Sequence, residues 1–293
     1  MKNKALVVLF LTIFLDLMGF GLIIPILPIY AKTLGATDAI VGLLGASFSI
    51  MQFVFASFWG GLSDRYGRRP IMLISISIMI VAYILFANAT VLWLLFATRL
   101  LKGFGAANLS VAQAYISDVV PAEKRTKAFG IIGAAFGLGF IFGPSIGGIV
   151  NEFHGVAGVG YFAAALGTLN LVLAWFFLDE TLKVKSTSVQ LFPNPFKDII
   201  QFRAVPEINA LFTINFVYVL GYSMMQITAT LLWAEHFGLS ELHIGYTFAY
   251  IGVLAVIIQG GLIGYFNTWF GEKNLLFFGT ILVSMGLFSM PFV

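Results

Sequence analysis

Three charged side chains lie inside long apolar stretches of this sequence. Asp16 falls within the stretch 5–30, and Arg99 and Lys102 fall within the stretch 91–116. At about 1.5 Å per residue, Asp16 lies about 16 Å from the start of its helix, at a depth similar to that of Arg99. Charges inside a bilayer are costly unless they face a cavity or each other, so they mark ion or substrate pathways. Asp16 is therefore a candidate proton-coupling residue, and a static ion pair with Arg99 is the alternative.

Five further polar residues of the apolar stretches are candidates for lining a cavity: Asn108, Gln113, Asn215, Tyr218 and Gln226. Amide and hydroxyl groups also form hydrogen bonds between packed membrane helices. Cavity lining and helix packing are therefore equally good interpretations of these residues.

Other kinds of site lack support in the sequence. His154, His236 and His243 are too far apart along the chain to suggest a metal cluster. The chain has no cysteine, which excludes thiolate nucleophiles and thiolate metal sites. Without a glycine-rich phosphate loop or a nucleophile motif, we expect no enzymatic activity, no metal and no cofactor.

The elements that position these residues are membrane helices. Of the 293 residues, 60% are apolar and only 10% are charged, whereas soluble domains carry about 25% charged residues. The 31 Phe and 31 Gly residues fit lipid-facing helices that pack closely, and they argue against an outer-membrane barrel. Soluble enzymes and nucleic-acid-binding proteins are excluded, and the lipid bilayer is the expected surroundings.

Nine apolar runs are long enough to span a bilayer: 5–30, 40–62, 70–87, 91–116, 128–150, 156–178, 207–233, 244–266 and 275–293. If the N-terminus is cytoplasmic, 13 of the 16 Lys and Arg residues fall on the cytoplasmic side, as the positive-inside rule requires. The sequence thus predicts an all-α, multi-pass protein of the bacterial inner membrane with a cytoplasmic N-terminus. It does not indicate an oligomeric state.

An internal repeat relates the two ends of the chain. Residues 31–42 align without gaps on residues 234–245, and Gly60 and Gly67 match Gly264 and Gly271. Six spans separate the copies, so the two halves have the same orientation, as in transporters built from parallel repeats. Two full halves would exceed the chain by roughly three spans, so we expect three C-terminal spans to be missing.

The repeat predicts three segments of the chain. Residues 1–178 form a six-helix bundle, residues 179–206 form a cytoplasmic linker, and residues 207–293 form the first three spans of a second bundle. Within the linker, Asn194 and Pro195 suit the N-cap and first position of a short helix. Apolar residues at helical spacing over 196–203 place that helix on the membrane surface.

Two motifs resemble those of a known family. Residues 60–69 read GGLSDRYGRR, which resembles the signature loop of the major facilitator superfamily, GxLADRxGRK, although a basic loop that only fixes topology is the alternative. The fifth predicted span resembles the antiporter motif of that superfamily through Gly130, Gly139, Gly143, Pro144, Gly147 and Gly148. On physical grounds, small residues four apart let another helix approach, and Pro144 bends the span.

The stretches around Asp16, Arg99 and Asp118 most resemble the tetracycline-efflux branch of the drug:proton antiporters. The resemblance implies two six-helix bundles of the major facilitator type that rock around a central site. The expected substrate is a hydrophobic drug, possibly tetracycline, exported in exchange for protons. It further implies an inner gate formed by Gly60, Asp64, Arg65, Gly67, Arg68 and Asp118, in which Arg68 contacts Asp118 and Asp64 contacts a helix of the second half.

Lys102 departs from this family, whose members commonly have Gln there. Two cations opposite one carboxylate would give a net positive cavity, which argues against a simple preference for cationic drugs; in the alternative, Lys102 extends into water. Two rival functions remain: symport of a sugar or other metabolite, against which the antiporter motif speaks, and a transport-incompetent fragment that serves as a membrane scaffold.

Overall fold

The computed structural model describes residues 2–183, 205–258 and 262–289, and the regular structure in these ranges is helical. The α-helices in chain order are α1 (Lys2–Ile23), α2 (Ile26–Thr33), α3 (Asp38–Tyr66), α4 (Arg68–Ala87), α5 (Leu92–Phe104), α6 (Asn108–Val119), α7 (Arg125–Phe177), α8 (Pro206–Glu235), α9 (Glu241–Ile257) and α10 (Ile263–Ser289). The surface helix predicted at 196–203 lies outside the described residues.

Five helical segments of the described chain are long and apolar enough to cross a membrane: Leu6–Thr33, Asp38–Tyr66, Arg68–Ala87, Ala128–Phe177 and Ile208–Glu235. Two shorter apolar helices, Glu241–Ile257 and Lys273–Ser289, follow them. The all-α fold is confirmed, whereas the count of nine spans stays a prediction.

The first predicted span, 5–30, consists of two helices rather than one. Helix α1 ends at Ile23, and α2 begins at Ile26 after Pro25. Proline has no N–H and cannot continue the hydrogen bonding of α1. A second proline, Pro28, lies in the first turn of α2, where an N–H would lack a helical partner in any case. Asp16 lies within α1, about two helical turns before the helix ends at Ile23.

The fourth predicted span, 91–116, is also divided, because α5 ends at Phe104 and α6 begins at Asn108. The break frees carbonyl groups that the apolar interior cannot solvate. Trp59 Nε1 donates to the Phe104 carbonyl at 2.5 Å, and the Ser75 hydroxyl donates to the Gly105 carbonyl. Neighbouring helices therefore satisfy the interrupted backbone, which is the condition for a broken helix at membrane depth. The break places Asn108 in the first turn of α6.

Helix α7 contains the fifth and sixth predicted spans. Gly155 has φ 65° and ψ −176°, a conformation that essentially only glycine adopts, and it separates residues 125–154 from residues 156–177. The first of these segments carries the glycine-rich motif. The chain therefore turns where the sequence places the gap between two apolar runs.

The two repeat copies share local backbone geometry. Gly35 and Gly238 occupy equivalent positions and have φ 85° and 63°. Two residues later, Thr37 and Ser240 cap α3 and α9, and each side chain accepts a hydrogen bond from a backbone N–H three residues on. The same turn and cap thus open the second helix of each copy.

Three glycines of the fifth-span motif bring α7 against α1. A Cβ added to Gly139 would lie 2.8 Å from Leu17 Cβ, and one added to Gly143 would lie 2.7 Å from Gly21 Cα. Gly147 meets the backbone of Leu22 in the same way. Small residues four apart therefore let these two backbones approach directly.

Other residues of the motif turn toward α9. A Cβ on Gly245 of α9 would lie 2.5 Å from the Pro144 carbonyl, and one on Gly148 would lie 3.0 Å from Leu242 Cα. Gly130 differs from the rest of the motif, because no described neighbour lies within 4 Å of a Cβ added there. No contact within the described chain requires a glycine at position 130, while the motif as a whole joins α1, which carries Asp16, to α9 in the second half.

Candidate functional site

A buried polar cluster forms around Asp16 from four helices of the first half. Asn108 Nδ2 on α6 donates to Asp16 Oδ2 at 3.3 Å. Lys102 Nζ on α5 donates to the Tyr83 hydroxyl on α4 at 2.8 Å. Asp16 makes no direct ion pair with Lys102 or Arg99 in the described chain, so the static ion pair is not found.

Aromatic rings hold the two basic groups of this cluster. The Arg99 guanidinium carbon lies 4.8 Å from the Phe48 ring centroid and 5.9 Å from that of Phe20. Lys102 Nζ lies 4.8 Å from the Phe20 centroid and 4.3 Å from that of Tyr83. Desolvated cation–π contacts of this kind contribute about 2 kcal/mol. The rings therefore partly stabilise the two buried positive charges, as a second carboxylate would.

Burial excludes one interpretation of Lys102. Only 4% of this residue and 7% of Arg99 are exposed, so Lys102 does not extend into water and that alternative is wrong. Asn108 is 2% exposed, and its Oδ1 atom has no hydrogen-bond partner. The cluster therefore retains an unused acceptor beside Asp16.

The remaining predicted cavity residues do not join this cluster. Gln113 and Asn215 are exposed, and no hydrogen bond connects them or Gln226 to Asp16 within the described chain. Gln226 has a buried Nε2 without a partner. Asn215 and Tyr218 instead line an apolar cavity of about 770 Å³ between α8 and α10.

A second polar cluster, which we call the Arg68 cluster, lies where α3 meets α4. The Arg68 guanidinium contacts Asp64 Oδ1 at 2.5 Å and Asp118 Oδ2 at 3.0 Å, and it donates to Ser63 Oγ at 2.6 Å. Gly67 forms the turn between the helices with φ 117° and ψ 156°. One arginine thus ties the end of α6, through Asp118, to the α3–α4 turn.

Two residues of the predicted gate lie outside these contacts. Within the described chain, nothing lies within 4 Å of the position that a Cβ on Gly60 would occupy. Arg65 is exposed, and its guanidinium lies 5.4 Å from the Tyr66 ring centroid. Asp64 contacts Arg68, and no contact from it to the second half is found in the described chain.

Glu180 is a member of the Arg68 cluster that the sequence interpretation missed. Its carboxylate accepts hydrogen bonds from the backbone N–H groups of Arg68 at 3.0 Å and Arg69 at 3.2 Å, which caps the start of α4. A Cβ on Gly67 would collide with this carboxylate. The signal in the sequence was an acidic pair, Asp179 and Glu180, directly after the sixth apolar run.

An ion-pair group that was not predicted lies at the opposite end of α3. Lys32 Nζ on α2 contacts Asp38 Oδ1 at 2.6 Å and Glu235 Oε1 on α8 at 3.1 Å. We call this the Lys32 group. Lys32 and Glu235 occupy equivalent repeat positions, so opposite charges on the two copies meet across the two halves.

Comparison with known proteins decides the family. A model of the Major Facilitator Superfamily matches residues 9–293. The chain belongs to this superfamily. The tetracycline resistance protein, class C, of Escherichia coli is 33% identical over 295 residues, which cover 99% of this chain and 74% of that protein. Multidrug resistance protein 2 of Bacillus subtilis (strain 168) is 30% identical and covers 94% of this chain and 70% of its own length.

Solved structures of the superfamily share the fold. The crystal structure of the human organic anion transporter MFSD10 (TETRAN) matches with a TM-score of 0.71 and 26% identity, over 89% of this chain and 72% of that chain. The resemblance to the tetracycline-efflux branch is confirmed by the relatives, and the superfamily member described here is a multi-pass membrane transporter.

Proposed function

We propose that this superfamily member exports a hydrophobic drug, with tetracycline as the first candidate, in exchange for protons by alternating access. The observation that carries the proposal is the buried cluster around Asp16, which offers one proton-accepting carboxylate at membrane depth. The names of the tetracycline and multidrug resistance relatives support export rather than uptake.

The proposal includes the membrane in which the protein lies and the division of the chain into two helical bundles. The protein lies in a bacterial inner membrane with its N-terminus in the cytoplasm, which the distribution of Lys and Arg supports. Residues 1–178 and 207–293 belong to two bundles joined by the linker 179–206, which the matched glycine turns support. Rocking of these bundles exposes the Asp16 cluster to each side in turn.

Proton binding at Asp16 changes the charge that Lys102 and Asn108 experience. In the ionised state, Asp16 accepts from Asn108 and attracts Lys102. A proton on the carboxylate removes that attraction, so the contacts among α1, α5 and α6 differ in strength between the two states. A difference of this kind is what allows a proton to shift a conformational equilibrium.

Two charge groups lie at opposite ends of α3 and have different roles in this mechanism. The Lys32 group joins α2 to α8 and favours the conformation that is closed at that end. The Arg68 cluster stabilises the opposite end, where Asp64 and Asp118 converge on one guanidinium. The Lys32 group joins the two halves, so it breaks or forms as the bundles rock and shifts the population of the two states. The described contacts of the Arg68 cluster lie within the first half and hold that half together.

The test is proton-driven tetracycline export by the purified protein in proteoliposomes. Asp16→Asn removes the titratable group but keeps the side-chain size, and we expect it to abolish accumulation against a concentration gradient. Glu152→Gln, at an exposed position, is the matched control and should retain the parental rate. Uphill export by Asp16→Asn at that rate would refute the assignment.

A further inference from the structure

The Asp16 cluster has an excess of positive charge. Arg99 and Lys102 are the basic residues in the interior of the predicted spans, and Asp16 is the acidic one. Both basic side chains are more than nine-tenths buried. Such a site is unfavourable unless another negative group completes it.

The two basic groups also have unused hydrogen-bond donors. Within the described chain, Arg99 makes one hydrogen bond, from Nε to the Leu44 carbonyl at 3.4 Å, although a guanidinium carries five N–H donors. Lys102 makes one hydrogen bond, to Tyr83, although an ammonium carries three. The unfilled donors fit an oxyanion such as a carboxylate or an enolate.

The acidic side of the cluster is incomplete as well. Asp16 is only partly buried and accepts one hydrogen bond, from Asn108, whereas an ionised carboxylate offers about four acceptor positions. Phe20 lies one helical turn from Asp16 on the same helix, and its ring contacts both basic groups. An aromatic surface therefore lies against the two cations, one helical turn along α1 from the carboxylate.

Exchange with protons restricts the charge of a ligand that fits here. A purely anionic ligand would bind more tightly when Asp16 is protonated, so proton and ligand would travel together. A purely cationic ligand would compete with the proton for Asp16, but it would be repelled by Arg99 and Lys102. A ligand with an ammonium for Asp16 and an oxyanion for the basic pair satisfies both requirements.

We propose that the substrates are aromatic zwitterions, held by Asp16 through an ammonium group, by Arg99 and Lys102 through an oxyanion, and by Phe20 through an aromatic face. This inference rests on the proposed drug:proton exchange and names its substrate class. Competition between the ammonium and the proton at Asp16 provides the coupling, while the basic pair provides the selectivity. Arg99 and Lys102 are thus specificity-determining residues.

The probes for a test are ciprofloxacin and three derivatives that share its aromatic body. Ciprofloxacin is zwitterionic, N-acetylciprofloxacin is anionic, the methyl ester is cationic, and the doubly modified compound is neutral. Binding to the purified protein in detergent is measured by equilibrium dialysis without a proton gradient. We expect the zwitterion to bind about tenfold more tightly than either singly charged derivative, as one charge-assisted contact provides.

Variants assign each charge to its partner. Lys102→Gln should weaken ciprofloxacin and the N-acetyl derivative about tenfold and leave the methyl ester within about twofold. Asp16→Asn should show the converse pattern, with loss confined to ligands that carry the ammonium. Lys124→Gln is the control and should change none of the four affinities, because this exposed lysine lies at the end of a short 3₁₀ helix, Ala122–Lys124.

The binding measurements test the ligand class separately from the proposed drug:proton exchange. Equal losses for all four ligands, or a cation that binds as tightly as the zwitterion, would overturn it. If Lys102→Gln does not fold, Lys102→Arg is measured in its place and should keep the wild-type order of the four ligand affinities. That order then decides the ligand class. A correct binding pattern without proton-driven export would refute the exchange mechanism and leave the site assignment standing, whereas the reverse result would refute only the ligand class.

Discussion

The glycine turn between the second and third predicted spans resembles the turn between the eighth and ninth, which divides α10 at Gly271, but the charges around the two turns differ. Gly67 and Gly271 both have positive φ, 117° and 73°, with ψ near 156°. Around Gly67 stand Asp64, Arg68 and Glu180, whereas the position equivalent to Asp64 is Thr268. The fold therefore needs the glycine turn in both halves, and the charged network is an addition to the first half only.

The largest expected effect comes from removing the centre of that network. Arg68→Ala leaves Asp64 and Asp118 without their shared partner, and loss of a largely buried ion-pair partner costs about 3 kcal/mol. Unfolding of the purified protein by denaturant in micelles measures the loss. Lys273→Ala, at an exposed position two residues after Gly271, is the control and should stay within about 0.5 kcal/mol. Equal losses for the two variants would show that the first-half network adds no stability.

Alanine at the two turn glycines separates backbone strain from contact with the network. Both φ/ψ values lie in a region restricted to glycine, so each substitution should cost about 1–3 kcal/mol. Gly67→Ala should cost more than Gly271→Ala, because its methyl group meets the Glu180 carboxylate while the space at Gly271 is open. The same unfolding measurement tests the order.

Glu180 decides where that difference arises. In the background Glu180→Ala, the excess cost of Gly67→Ala over Gly271→Ala should shrink, since the colliding carboxylate is gone. An excess that persists unchanged would place its origin in the backbone alone, and it would contradict the capping interaction with α4 as the cause.

The charged loop and the intramembrane carboxylate can be predicted from the sequence for a physical reason. Asp16, Arg99 and the glycines near Arg68 are unusual among the apolar residues that face lipid. Residues of an unusual type can be recognised in the sequence without a structure. The pairing of Arg68 with Asp118 followed from family resemblance, and the contact is present at 3.0 Å.

The residues that contact these unusual residues were harder to predict from the sequence. Tyr83 and Phe20 are ordinary members of apolar helices, and only the packing of α4 and α1 against α5 reveals that they contact Lys102. The breaks before α2 and α6 were hidden as well, because hydropathy averages over prolines and glycines that interrupt a helix.

A moderate effect is expected at the Lys32 group. Glu235→Gln removes the bond between α2 and α8 but leaves the Lys32–Asp38 pair, and exposed pairs contribute about 0.2–1 kcal/mol. We expect a population shift of about two- to threefold toward the state that is open at this end. Spin-label distances between the ends of α2 and α8 measure it, and about 1 M salt should erase it.

Glu241→Gln is the matched control for that shift. Glu241 is the repeat equivalent of Asp38, and it makes no ion pair in the described part of the chain. Its variant should leave the distance distribution unchanged at low salt. A shift as large as that of Glu235→Gln would mean that net charge at this end, and not the specific bond to Lys32, controls the equilibrium.

The smallest expected effect is that of restoring charge to the second-half turn. Thr268→Asp alone adds a carboxylate at an exposed position beside the Gly271 turn without the arginine that Asp64 contacts, so we expect a change within about 0.5 kcal/mol. Thr268→Asp with Glu272→Arg recreates the sequence spacing of Asp64 and Arg68 across the glycine turn, and the pair should be coupled by about 0.5 kcal/mol or less in a double-mutant cycle, as for exposed ion pairs. That coupling should stay far below the cost of Arg68→Ala, because the two substitutions introduce no equivalents of Asp118 and Glu180, which contact Arg68 in the first half. A coupling above about 2 kcal/mol would show that the turn itself, rather than the carboxylates that converge on Arg68, provides the strength of the first-half network.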